Sequence, residues 1–332
     1  MFPGPSGTPR PMASPSVVPA HQDHAAGSRS NHELLLTESS QDAATRLGDR
    51  VRESLDQGTR VLLALDRALA DTVLEGLDPA PSGTSLSRIP PARRETRPSS
   101  VLSQMLQRVQ EESSSGRSVL LVHRPPSRDE RAWWDWTRVE AAVNLLLPTA
   151  VRGLCVYERP RLTEDQVRRM LATHPVLDDG DGARANPSYR DADELLRSAA
   201  EDDRVPEPGE PDSVLVDPGL PVTRRAVRLL ARATEVRDDD VQALLFAVTE
   251  VLENARTHGR GPVTVRLWAS ERRLVVGVGD AGSGPVEPLA GLVRLGDGSG
   301  NGDGLWLAHA IADVRHHRSA DGYTVYVSVG ED

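Results

Sequence analysis

The sequence predicts an α/β domain followed by an α+β domain in a chain of 332 residues. Three observations point there. In the first half, short apolar runs such as "TRVLLAL", "RSVLLVH" and "RGLCVYE" alternate with helical stretches, the pattern of a parallel sheet covered by helices. In the second half two helical segments come first, and strands with alternating apolar and polar residues follow them. Between the halves, from about 178 to 214, the chain turns acidic and rich in Pro and Gly ("DDGDGARANPSYRDADELL" onward to "VPEPGEP"), which is the composition of a linker.

Residues 1 to 30 are rich in Pro, Ser, Gly and Ala without periodicity and are expected to be disordered. From His32 the pattern is globular. "QDAATRLGDRVRESLDQG" predicts a helix closed by Gly58, "TRVLLAL" a buried strand and "RALADTVLEGL" a second helix. A Pro/Ser/Arg-rich loop is expected at roughly 78 to 98. Strand "RSVLLVH" follows, then the long helix "RDERAWWDWTRVEAAVNLLLP", stopped at Pro148 because proline cannot continue the backbone ladder. Strand "RGLCVYE" and helix "LTEDQVRRMLATHP" complete the unit. The second unit opens with helices over 221–235 and 239–257. Strands "PVTVRLWA" and "RRLVVGVGD" form a hairpin around "SER", a Gly-rich stretch runs over 282–304, and helix "LWLAHAIADV" and strand "YTVYVSV" close the chain. The boundaries drawn are a tail at 1–30, a first domain at 31–190, a linker at 191–215 and a second domain at 216–332.

Composition removes several functions. A formal net charge of −10 argues against direct nucleic-acid binding and against a polybasic membrane anchor. One cysteine allows no internal disulfide, the N-terminus lacks the basic and apolar regions of a signal peptide, and no apolar run reaches about 18 residues. The expectation is a cytoplasmic protein with no membrane contact. All 39 basic residues are arginine. Without lysine there is no P-loop, no kinase fold that needs a strand lysine, and no Schiff-base chemistry.

One stretch sets polar groups beside its own apolar stripe. On a wheel of 100° per residue, Val241, Leu244, Leu245, Val248, Val251, Leu252 and Ala255 share the core face of the helix over 239–257. Glu250 and Asn254 stack on the flank of that face, and His258 lies near its edge, followed by Gly259. Alone this reads as a partly exposed helix side. Twenty-six residues after Asn254, however, "DAGSG" (Asp280 to Gly284) follows an apolar strand, and "GDGLWLA" (Gly302 to Ala308) later passes from a Gly-rich loop into a helix.

In that order and spacing the segment over about 220–330 resembles the GHKL ATPases, whose fold is a Bergerat-type ATP-binding α/β sandwich. The resemblance implies ATP and Mg²⁺ as cofactors. It implies that Asn254 binds the metal, that Asp280 accepts a hydrogen bond from the adenine amino group, and that Gly282 and Gly284 let the backbone approach the base. Gly302 and Gly304 would shape the loop over the phosphates, beside the free N–H groups of the helix that follows. Within the superfamily, "AVTEVLENARTHG" resembles the anti-sigma-factor serine kinases, which implies Glu250 as catalytic base and a serine on an anti-sigma-factor antagonist as substrate. The partners so implied are that antagonist or a sigma factor, with dimerisation through the ATPase domain and a role in transcription regulation. His258 reads as a helix-end residue, and Arg294 in the lid as a solvated side chain. Lid residues 285–301 follow no motif of the family, and Asp303 places a carboxylate near the phosphates. An ATP-occupied module that sequesters its partner without phosphotransfer is therefore the alternative. A sensor histidine kinase is a third reading, disfavoured because no histidine-bearing helical hairpin precedes the ATPase segment.

The first half resembles the MEDS domain, a sensory domain with a RecA-like parallel α/β fold. The likeness rests on "HELLL", "RVEAAVN", "LCVYE" and "THP" followed by "NPSYRD". It implies a small-molecule ligand, for which His32, Arg138, Glu140, Asn144, Cys155 and Tyr157 are the candidate residues. Taken singly, Arg138 and Glu140 read as helix-surface charges, Cys155 as a small core residue and "WWDW" as packing.

Overall fold

The computed structural model describes residues 31–77, 85–89, 97–114, 116–124, 130–198, 209–294 and 303–330. The tail assigned to 1–30, Gly302 and the second half of the lid lie outside these residues.

The first domain runs β1 (His32–Thr37), α1 (Ser40–Asp56), β2 (Arg60–Ala64), α2 (Arg67–Glu75), β3 (Leu86–Arg88), α3 (Pro98–Ser113), β4 (Val119–His123), α4 (Glu130–Leu146), β5 (Val151–Glu158), α5 (Glu164–Thr173), β6 (Val176–Asp178), β7 (Arg184–Ala185) and α6 (Ala192–Ser198). Its sheet has the order β3-β2-β4-β5-β1-β6-β7, parallel throughout except for the antiparallel β7 at one edge. Every residue of β2 and β4 is buried, as expected of strands covered on both faces. Beneath α1 and α2, Leu35, Leu47, Leu63 and Val156 form one core layer. On the opposite face Leu62, Leu102, Leu121 and Val139 form another with α3 and α4. Caps fix the helix starts: Ser39 accepts the N–H of Asp42, and Thr163 and Gln166 form a reciprocal capping box at α5. Gly58, at φ 73°, ends the turn after α1 in a conformation that disfavours other residues.

The second domain runs β8 (Ser213–Val216), α7 (Leu220–Ala231), α8 (Asp238–His258), β9 (Thr264–Ala269), β10 (Arg273–Asp280), α9 (Gly304–Ile311), β11 (Asp313–Ser319) and β12 (Gly322–Gly330). The sheet order is β11-β12-β10-β9-β8, antiparallel at every pairing. The expected core face of α8 is buried, from Val241 at 7 % exposed to Leu244 and Leu252 at 0 %, against Val265, Val276 and Val327 of the sheet, except that Ala255 is only partly buried. Each such leucine contributes roughly 1.5–3 kcal/mol of burial.

Several elements differ from the sequence expectation. The stretch after the loop at 78–98 is helix α3, whose Val101, Leu102, Met105, Leu106 and Val109 are buried at helical spacing between Ser-rich flanks. Two pieces of the assigned linker at 191–215 are regular structure: α6 packs Leu196 into the first domain, and β8 pairs with β9. The first helix of the second domain ends at Ala231, before the expected 235. The last helix ends at Ile311, and strand β11 starts at Asp313. The sequence "DVRHHRS" carries no apolar alternation, so its pairing with β12 could not be read from periodicity.

The two domains touch. Trp306 of α9 donates its indole N–H to Ser103 Oγ of α3 at 3.0 Å. Arg315 of β11 pairs with Asp135 of α4 at 3.1 Å, both side chains being about five-sixths buried. Leu289, Leu292 and Val293 join the hydrophobic cluster that contains Leu102 and Trp136 of the first domain.

Candidate functional site

The end of α8, the end of β10 and the start of α9 meet on one side of the second domain. Asp280 is the last residue of β10, and its Oδ1 accepts the backbone N–H of Arg260 at 2.9 Å and of Gly282 at 2.6 Å. Both bonds go to the same oxygen, which orients the carboxylate. Glycines make this possible. A Cβ on Gly259 would stand 2.5 Å from Asp280 Cγ, and one on Gly282 would stand 2.6 Å from Oδ1. The glycine after His258 is thus required by the aspartate that follows 21 positions later. Gly284, at φ 71°, lies over the Tyr323 ring, 2.5 Å from where its Cβ would be.

Glu250 and Asn254 are half-buried on the flank of α8, and His258 is exposed at its end. A Cβ on Gly304 would fall 2.3 Å from Glu250 Oε2, so that glycine lets the first turn of α9 reach the glutamate. The helix start offers backbone N–H groups and the positive end of its dipole beside a carboxylate one turn from an amide. Glu250 and Asn254 thus lie one turn apart beside Gly304, and Asp280 is held at the end of the same helix by Gly259. Gly302 is outside the described residues. Arg294 is exposed, as expected, and its guanidinium lies 4.2 Å from the centre of the Trp306 ring, a cation–π contact.

A partly buried polar chain in the second domain lies near Arg138 of the sensory domain. His309 and His316 join Nε2 to Nε2 at 2.7 Å, and His316 Nδ1 bonds the Tyr323 hydroxyl. Burial pushes both imidazoles well below the usual histidine range, helped by the nearby Arg138 and Arg315 cations, so both are neutral. A Cβ on Gly291 would meet His309 Cδ2 at 2.5 Å, which seats the lid backbone on this chain.

The sensory candidates separate into two groups. His32, Glu140, Asn144, Cys155 and Tyr157 come together, joined by His174, which sequence reasoning missed although "THP" marks it. Glu140 is not a surface charge: it is 1 % exposed and accepts the Tyr157 hydroxyl at 2.7 Å. The periodicity of α4 could not distinguish its flank from its core because α5 covers that flank. Arg138 stands apart and lines a cleft of ≈ 770 Å³ between α4, α5 and α6 with Arg168, Arg190 and Leu196. Trp133 and Trp136 are buried packing residues.

An aspartate held by glycines at a strand end, beside an acidic-amide helix and the free start of a second helix, defines a nucleotide-binding domain of the GHKL class. Residues 219–329 match the family model of the histidine kinase-like ATPase domain. Residues 31–175 match that of MEDS, the methanogen/methylotroph, DcmR sensory domain. The chain therefore joins a MEDS domain to a histidine kinase-like ATPase domain, the architecture of an ATP-binding regulatory protein. No curated protein matches it. Among the described residues no helix is long and apolar enough to cross a membrane.

Proposed function

We propose that the ATPase domain phosphorylates a serine of an anti-sigma-factor antagonist, in a cytoplasmic regulator of transcription controlled by its MEDS domain. The observation that carries this reading is the approach of Glu250 to the first turn of α9, one helical turn from Asn254 on the helix whose end meets the anchored Asp280. Asp280 reads the adenine amino group. Asn254 holds Mg²⁺, which when bound neutralises charge on the transferred phosphoryl group. Glu250 accepts the proton of the incoming serine hydroxyl as its oxygen bonds to the γ-phosphorus and the bond to the departing ADP breaks.

Control is supported by the domain contacts. Leu292 and Val293 flank the glycine loop on one side and Trp306 on the other, and all three contact the first domain. A small molecule bound in the arginine-lined cleft beside α4 would act on the helix that carries Asp135, the partner of Arg315. The Val222 and Leu229 side chains, 52 % and 64 % exposed and seven residues apart on α7, supply the face for a homodimer. Sequestration without phosphotransfer is the second reading, supported by Asp303 at the start of α9, where a carboxylate opposes phosphate.

The test is radiolabelled ATP with the full chain and a panel of antagonist-type proteins. Transfer to serine, lowered about 10²–10⁴-fold in Glu250→Gln with nucleotide affinity kept, is expected. Tight ATP binding with no transfer to any candidate would favour sequestration, and an acid-labile autophosphate would replace both with a histidine kinase.

A further inference from the structure

The sensory domain holds a second constellation that the ATPase site does not use. His32 opens β1, Glu140 lies in α4, Cys155 in β5, and His174 follows α5; their exposures are 1 %, 1 %, 3 % and 0 %. His32 Nε2 stands 3.2 Å from Glu140 Oε2 and 3.3 Å from Cys155 Sγ. Cys155 Sγ is 3.4 Å, and His174 Nε2 3.6 Å, from the same Oε2. One potential ligand atom from each of the four residues lies within 4.8 Å of the others.

The imidazole orientations are fixed from behind. Asn144 Nδ2 donates to the carbonyls of Glu140, Ala141 and Thr173, so its Oδ1 is left as an acceptor for His32 Nδ1–H at 3.2 Å. His174 Nδ1 meets the Met170 carbonyl at 2.7 Å and must donate to it. Each ring therefore turns its Nε2 toward the carboxylate. His174 Nε2 has no hydrogen-bond partner and is fully buried. Gly153 keeps His32 in place, since a Cβ there would press on its Cδ2 at 3.2 Å.

A purely hydrogen-bonded cluster explains this poorly. The Cys155 thiol and Tyr157 hydroxyl can both donate to Glu140. A proton on His32 Nε2 would add a third bond, yet His174 would still present an orphaned lone pair to an acceptor, a costly arrangement in a dry interior. A cation at the centre satisfies all four atoms. In a tetrahedral site with bonds of about 2.0–2.3 Å the ligand-to-ligand edges are roughly 3.3–3.8 Å, close to the four separations above. One thiolate and one carboxylate neutralise a dication, and backbone or amide partners on Nδ1 are the usual outer support for metal-binding histidines.

We propose that His32, Glu140, Cys155 and His174 form a closed four-ligand site for a zinc-class divalent cation. Two imidazoles, a thiolate and a carboxylate select a borderline-soft ion over Mg²⁺ or Ca²⁺. Binding releases the Cys155 thiol proton to solvent. The ion ties β1, β5 and the end of α5 to α4, the helix whose Asp135 holds Arg315 of the ATPase domain. Metal occupancy thereby sets the position of α4 at the domain contact.

The tag-free full chain is stripped with a chelator, titrated with Co²⁺, and then challenged with Zn²⁺. Expected is one Co²⁺ per chain with a thiolate-to-cobalt band in the near ultraviolet and intense tetrahedral bands in the visible, all erased by Zn²⁺. Cys155→Ser should lose the ultraviolet band, and Cys155→Ser and His174→Gln should each bind at least about tenfold more weakly. Asp280→Asn, in the other domain, should leave the cobalt spectrum unchanged. The proposal is overturned if the wild-type chain takes up no stoichiometric Co²⁺ or Zn²⁺, or if bound Co²⁺ shows no thiolate band. Should either ligand variant fail to fold, the wild-type titration decides alone.

Discussion

Two carboxylates show how differently the halves of this chain treat charge. Glu250 is half-buried on an open helix flank, and the glycine facing it leaves its oxygen room. Glu140 is 1 % exposed and enclosed by His32, Cys155, Tyr157 and His174. An open carboxylate can change partners in every cycle, as a proton acceptor must. A sealed one has to be satisfied within the fold, so its partners are permanent. The ATPase domain is thus built for exchange, and the sensory core for a resident occupant.

The same truncation at both positions breaks or sharpens this comparison. Glu140→Ala should destabilise the first domain by about 3–5 kcal/mol, because the remaining buried polar groups lose their common partner. Glu250→Ala should cost roughly 0.5 kcal/mol or less. Urea unfolding of the two variants checks this, and equal losses would mean that Glu250 is structural. Next in size, Asp280→Asn should weaken ATP binding about 10- to 100-fold, the worth of one or two hydrogen bonds to a charged group, as measured by calorimetry. An unaltered affinity would move the adenine elsewhere.

The histidine chain between the domains gives a smaller, pH-dependent effect. His309 and His316 face Arg138 of α4, Arg315 of β11 and Tyr323 of β12, and Arg97 before α3 also acts on His309. Their folded-state pKa values lie below the unfolded value of about 6.5, so the unfolded chain takes up protons first as the pH falls. The stability they contribute is present above about pH 6.5 and is lost below it, by up to about 3 kcal/mol for the pair at pH 5.5. Thermal midpoints across that range, with His316→Gln as the control that flattens the slope, measure it. The smallest effect expected is Trp306→Phe, which removes the bond to Ser103 and costs about 0.5–1 kcal/mol. Its useful readout is the ATPase-domain response to occupancy of the sensory domain, which should weaken while nucleotide affinity is kept.

The candidate nucleotide site was legible because its parts are local. Glu250 and Asn254 are one turn apart on a helix with a clear apolar stripe, and the glycine loops announce themselves by composition. The spacing from Asn254 to Asp280 needs only a hairpin between them. Gly259 was visible as a helix end, but its contact with the Asp280 carboxylate required the coordinates. The sensory cluster was less legible. His32, Glu140 and Cys155 could be named singly, yet each had a plain reading as a surface charge or a core residue. His174 was passed over because a histidine before proline at a helix end has no period to reveal it. Helix α3 was lost between Ser-rich flanks, and with it the element that meets α9.

The sequence by itself determined most elements of both domains, though not α3, β8 or β11, the apolar face of α8 and the exclusion of lysine chemistry. These follow from local periodicity, from backbone permissiveness and from which side chains exist. Tertiary structure alone decided that a glutamate on α4 is sealed among two histidines and a thiol, and that Leu289, Leu292 and Val293 pack on the sensory domain. Such contacts join residues on separate elements, and no local pattern encodes which of many polar side chains the packing of helices on a sheet will bring together.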